Sequence, residues 1–88
     1  MMAGENRFAT EVGARLRQAR KARGMSLLDV EKQSGGRWDD SALRSWEAAT
    51  RAMLVEHFDG LARFYGLDPR WLAAEAARAA MMPRAVAA

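Results

Sequence analysis

Eighty-eight residues, half of them hydrophobic and none of them cysteine, leave room for one small domain and exclude disulfides and thiolate metal sites; the absence of cysteine fits a reducing cytoplasm. Apolar runs of a few residues exclude a membrane span, which needs roughly 20, and Glu5, Asn6 and Arg7 stand where an export signal would be apolar. The net charge of +3 is unevenly placed: Arg7, Arg15, Arg17, Arg20, Lys21 and Arg23 face a single acid, Glu11, between positions 7 and 23, so this segment is strongly basic and the remainder slightly acidic. A basic field on a small domain points either to a polyanion partner or simply to a solvated helix face.

Residues 1–5 are expected to form a disordered leader. Helix 1 is predicted from Asn6 to Arg23, with Phe8, Val12, Leu16 and Ala19 recurring at helical spacing as a buried stripe. Gly24 sits where a left-handed cap is wanted. Ser26 is a suitable N-cap for helix 2, with Asp29 three residues later as in a capping box. Leu27 or Leu28, with Val30, should face inward. Helix 2 ends near Ser34, and Gly35 and Gly36 make the turn. Asp39 is placed to cap helix 3, Asp40 to about Ala48, with Leu43 and Trp46 inward and Ser41, Arg44 and Ser45 outward.

Residues 50–53 connect to helix 4, predicted from Leu54 to Tyr65, with Val55, Phe58, Leu61, Ala62 and Tyr65 as its apolar face. Gly60 within it costs on the order of 1 kcal/mol against alanine, which suggests close packing at that point. Gly66 ends the helix. Asp68 and Pro69 are an N-cap followed by proline at the first helical position. Helix 5 then reaches about Met81, Pro83 stops it, and Leu67, Trp71 and Leu72 should pack back on the core. Residues 83–88 are expected to be a flexible tail. No strand pattern appears, so the fold class is all-α.

The phrases VGARLRQAR, GMSLLDVEKQSGGRW, SWEAATRAM and LARFYGLDPRWL, in this order, resemble the Cro/C1-type (XRE family) helix-turn-helix domain over about residues 10–73. The GGRW turn, about two residues longer than the usual turn of the family, resembles its BldD-like subgroup. The resemblance implies a compact five-helix, lambda-repressor-like domain spanning residues 6–82. Helices 2 and 3 would be the reading unit, and helix 3 would lie in the major groove of double-stranded DNA. On that mapping Asp40, Ser41, Arg44 and Ser45 face base edges. Arg44 is suited to guanine, because a guanidinium bonds O6 and N7 together. Phosphate contacts are expected from Arg37 and Arg51 on the two flanks, from Lys21, Arg23 and Lys32, and from the backbone N–H of Ser26 at the start of helix 2. Arg20 and Glu47 occupy the positions of a family ion pair that joins helix 1 to helix 3, a structural role.

This sequence also departs from the family pattern. Asp39 and Asp40 put two acids at the start of the reading helix, Leu27 replaces a usual polar residue, Ala49 stands where glycine often follows helix 3, and Met53 replaces a common proline. The function implied is a sequence-specific transcriptional regulator of the XRE/BldD-like type, reading a two-fold site as a homodimer on DNA. The alternative is a protein-interaction module on the same fold, binding another regulator or a polymerase subunit. Trp38 separates the two: buried, it makes the turn rigid as a DNA reader needs; exposed, it is a protein anchor. An enzyme is not expected. His57 is the only histidine, no glycine-rich phosphate loop follows a strand, and the adjacent Asp39 and Asp40 make a poor acid–base pair. No metal or cofactor is implied.

Overall fold

The computed structural model describes residues 7–83; the expected leader, Asn6 and residues 84–88 of the expected tail lie outside the described residues. Five helices follow one another: α1 Arg7–Ala22, α2 Leu27–Gln33, α3 Asp40–Glu47, α4 Val55–Phe64 and α5 Pro69–Met81. No strand occurs among the described residues.

Local chemistry sets most of the boundaries. The Ser26 hydroxyl accepts from the Asp29 N–H at 3.0 Å, and the Asp29 carboxylate accepts from the Ser26 N–H at 2.8 Å, a complete capping box. Asp39 caps α3 by accepting from the Ala42 N–H at 2.7 Å, and Asp68 caps α5 by accepting from the Arg70 N–H at 2.8 Å. The first four helices leave through one kind of turn, in which an N–H reaches back five residues: Met25 to Arg20, Gly36 to Glu31, Thr50 to Ser45 and Leu67 to Ala62. That turn needs a positive φ just before the donor. Glycine supplies it three times; at the end of α3 the residue is Ala49, with φ of 59°. A side chain in this region costs roughly 1–2 kcal/mol.

The core is contributed by every helix: Val12 and Leu16 from α1, Val30 from α2, Leu43 and Trp46 from α3, Leu61 and Ala62 from α4, and Leu72 and Ala76 from α5, with Trp38 and Tyr65 from the turns. α5 runs antiparallel to α1. Arg7 at the start of α1 donates to the Met82 carbonyl at 2.6 Å, closing the far end of α5, while Leu67 and Trp71 lie beside Ala19 and Ala22 at the other end.

Three apolar residues expected inside lie largely outside. Phe8 is 44% exposed because the first turn of α1 overhangs the core, and Val55 is 80% exposed as the first residue of α4. Trp71 is 54% exposed. The buried positions of α5 are Pro69, Leu72 and Ala76, and a residue one step from Leu72 points about 100° away around the helix. In α2 it is Leu27, not Leu28, that is partly covered.

Candidate nucleic-acid interface

α3 is held from three directions. At its C-terminal end Glu47 receives a two-pronged bond from Arg20: Nε donates to Oε2 at 2.8 Å and Nη2 to Oε1 at 2.9 Å. The third arm of Arg20, Nη1, donates to the Met25 carbonyl at 2.8 Å. One guanidinium therefore ties together α1, the α1–α2 turn and α3. Both side chains are less than one-tenth exposed. The Glu47 bond raises the Arg20 pKa above its ordinary value and outweighs burial, which acts the other way. Beside the pair, Gly13 of α1 lies directly against the last carbonyls of α3. A Cβ at Gly13 would press on the Glu47 carbonyl oxygen and sit 2.7 Å from that of Trp46.

At the N-terminal end two of the free backbone donors of α3 are taken by acids. Asp39 caps Ala42, and Glu31, reaching across from α2, accepts from the Asp40 N–H at 2.9 Å. These charges suit the positive end of a helix.

Between α2 and α3, Trp38 is only 3% exposed and packs edge-on to Phe64, with ring centres 5.8 Å apart. Its Nε1 donates to His57 Nδ1 at 3.2 Å, and the same imidazole stacks on Trp46 at 4.9 Å. Gly60 allows this packing: a Cβ there would fall 2.9 Å from Trp38 Cζ2. The long turn is thus anchored in the core.

The residues assigned to base edges fall on one side. Ser41 and Arg44 are exposed, and Asp40 and Ser45 are half-buried. Arg44 borders a cleft of about 280 Å³ whose walls also include Arg17, Leu27 and the Arg20–Glu47 pair. Arg17 was not among the residues assigned from the sequence to this surface. The available signal was its position three residues before Arg20, which places both on one face of α1.

The residues assigned to phosphates are scattered. Lys21, Lys32 and Arg51 are exposed. Arg37 lies over the Trp38 ring at 4.6 Å, in a shallow cleft with Asp59 and Arg63. Arg23 donates through Nε to the Tyr65 carbonyl at 3.1 Å and so closes the end of α4. The assignment of the Ser26 N–H to phosphate is corrected: that group is occupied by the Asp29 carboxylate, whose bonds to Ser26 also lower the Asp29 pKa below its usual value.

A short helix, an anchored turn and a second helix with a free polar side define a helix-turn-helix unit. The family model described as helix-turn-helix (HTH_3) matches residues 16–72, and the chain belongs to this family of Cro/C1-type domains. Among solved structures it is similar to the crystal structure of the DNA-binding domain of BldD, with 39% identity and a TM-score of 0.71 over 76% of this chain and 94% of that one. It is similar also to the structure of the S. venezulae BldD DNA-binding domain, with 40% identity and a TM-score of 0.69 over 74% of this chain and 94% of that one. Comparison with curated proteins gives no match.

Proposed function

We propose that this chain is a sequence-specific DNA-binding regulator that reads the major groove with α3. The observation that carries the reading is the buried Arg20–Glu47 bond, which sets α3 against α1 while leaving Ser41 and Arg44 free. A helix inserted into a groove must keep its tilt without help from the duplex, and a two-pronged buried bond supplies that stiffness. Family membership and the two BldD DNA-binding domains among its structural neighbours support the same reading.

In this reading Arg44 bonds guanine, Ser41 and Ser45 contact neighbouring edges, and the half-buried Asp40 accepts from a cytosine amino group. Arg17, Lys21, Lys32 and Arg51 hold phosphates around it. Arg37 and Arg23 hold protein groups in the structure and contribute mainly through the field they add. Asp39 and the α2 residue Glu31, both beside the start of α3, oppose phosphates on that side, so one domain binds weakly and gains from a second copy on a two-fold site.

The protein-interaction alternative called for an exposed Trp38, which is buried; an exposed tryptophan is found instead at Trp71, 54% exposed beside α1. Selection from random-sequence duplex pools at two salt concentrations separates the readings. Enrichment of a two-fold motif, with binding that falls steeply as salt rises, supports the DNA reader. Arg44→Ala should then lose about 1–3 kcal/mol at one base position. No enrichment from a folded protein would transfer the assignment to the Trp71 side.

A further inference from the structure

Two tryptophans meet the imidazole of His57, and only one of them is satisfied by it. Trp38 gives its indole N–H to His57 Nδ1. To Trp46 the imidazole offers its face, stacked at 4.9 Å. A stacked ring presents no lone pair to an indole N–H, because the lone pairs of an imidazole lie in its own plane. Trp46 is 5% exposed, and its Nε1 is a buried donor with no acceptor among the described residues. Native proteins rarely leave such a group unpaired, since burial strips it of water and returns nothing.

The same side chain lines an apolar groove of about 480 Å³. Phe8 and Val12 come to it from α1, Met53 from the α3–α4 connection and Phe58 from α4. The lining is apolar apart from Arg51, whose charge is left to phosphate. Small-molecule sites have this make-up: about 300–1,000 Å³, mostly apolar, with a few polar groups that fix orientation. We propose that the groove binds a small, uncharged, apolar molecule carrying one hydrogen-bond acceptor, a carbonyl or ether oxygen, with Trp46 Nε1 as the donor that orients it.

The lining decides the class of ligand. A charged group would lose its water among apolar walls. An uncharged oxygen loses less, and the indole returns one hydrogen bond. A water molecule could accept from the same donor, but it would leave the apolar walls unfilled. Occupancy would be felt at α3, because Trp46 is on its buried side and Ala49, in the turn that ends it, also lines the groove. The binding itself does not depend on the DNA reading.

Acetophenone and ethylbenzene test the proposal, because they share a shape and differ in the carbonyl oxygen. Each is titrated into the folded chain and followed by two-dimensional NMR, with the indole N–H resonances of Trp38, Trp46 and Trp71 as reporters. Acetophenone should move the Trp46 indole resonance downfield, shift the amides of Phe8, Met53 and Phe58, leave Trp71 in place, and reach half-saturation near about 1 mM. Ethylbenzene should bind about tenfold more weakly, the worth of one neutral hydrogen bond. Ala52→Phe, at an exposed position in the lining, should fill the groove and abolish acetophenone binding with the circular dichroism unchanged. Ala74→Phe, on the exposed side of α5, should leave binding as it was.

Equal affinity for the two probes would mean that the donor plays no part, and overturns the proposal. So does the lack of saturable acetophenone binding, or binding that survives Ala52→Phe. Groove resonances that move with protein concentration alone, before any probe is added, would give the groove to a second copy and overturn it as well. Failure to recover a duplex motif by selection counts against the DNA reading only, and the probe titrations still decide the groove.

Discussion

The two ends of α3 are secured by different means. Its C-terminal end is set by burial: a charge pair shielded from water and a glycine pressed against backbone carbonyls. Its N-terminal end is set by carboxylates at or near the surface, Asp39 and Glu31, that hold backbone N–H groups. Buried contacts are unforgiving, because a removed partner cannot be replaced by water. Surface caps are forgiving, because water takes over part of the bond. The tilt of α3 should therefore depend on its C-terminal end, and its fraying on its N-terminal end.

The sharpest way to break this comparison is Glu47→Ala. It strands the Arg20 guanidinium and should cost about 3–5 kcal/mol, measured by urea unfolding. A loss below 1 kcal/mol would mean that the pair is effectively solvated and that the two ends are equivalent. Next comes Gly13→Ala, which forces α1 and α3 apart and should cost about 1–3 kcal/mol. Its amide shift changes should centre on Trp46 and Glu47. Asp39→Ala removes only a cap and should cost about 1 kcal/mol, with faster hydrogen exchange confined to the first turn of α3. A loss comparable to that of Glu47→Ala would erase the distinction between the ends.

Smaller effects follow from pH and from the turn after α3. Burial, aided by the Glu47 charge, pushes the Tyr65 phenol from its ordinary 10.0 up to about 12. A folded-state value above the unfolded one means stability that is fully present below pH 10.0 and lost as pH rises toward 12. Tyr65→Phe should flatten that alkaline decline in thermal scans. Its hydroxyl finds no hydrogen-bond partner among the described residues, so the change should leave neutral-pH stability equal or slightly higher. Ala49→Gly relieves the positive φ and should gain up to about 1 kcal/mol, raising the melting temperature by several degrees.

Much of the fold was legible because its boundaries are written in adjacent residues. Ser26 with Asp29, the glycines after α1, α2 and α4, and Asp68 with Pro69 each act through their own backbone. The contacts that position α3 are long-range, and spacing says nothing about them. Gly13 meets carbonyls 33 and 34 residues later in the chain. Glu31 caps a helix other than its own, and His57 serves two tryptophans. The Arg20–Glu47 positions were visible only through resemblance to a family, not through helical periodicity. Periodicity also misled at Phe8 and Val55, because an apolar stripe gives a direction around a helix without showing where the neighbouring helix stops; at Trp71 it was the expectation that ignored the step of about 100° from Leu72. Arg23 shows the corresponding limit for charge: a basic residue in a basic segment went to a carbonyl on α4.

His57 gives the aromatic arrangement a wider meaning. One imidazole accepts from the indole that pins the turn and covers the indole at the base of the reading helix, so it works as a rivet through two layers. Damage to α4 at this point would loosen both at once and, on the proposed function, weaken DNA binding, although the residue lies beneath α3 rather than on its outward side. The same geometry makes Trp38 and Trp46 paired optical gauges of whether the reading helix is seated, with solvent-facing Trp71 as the built-in reference.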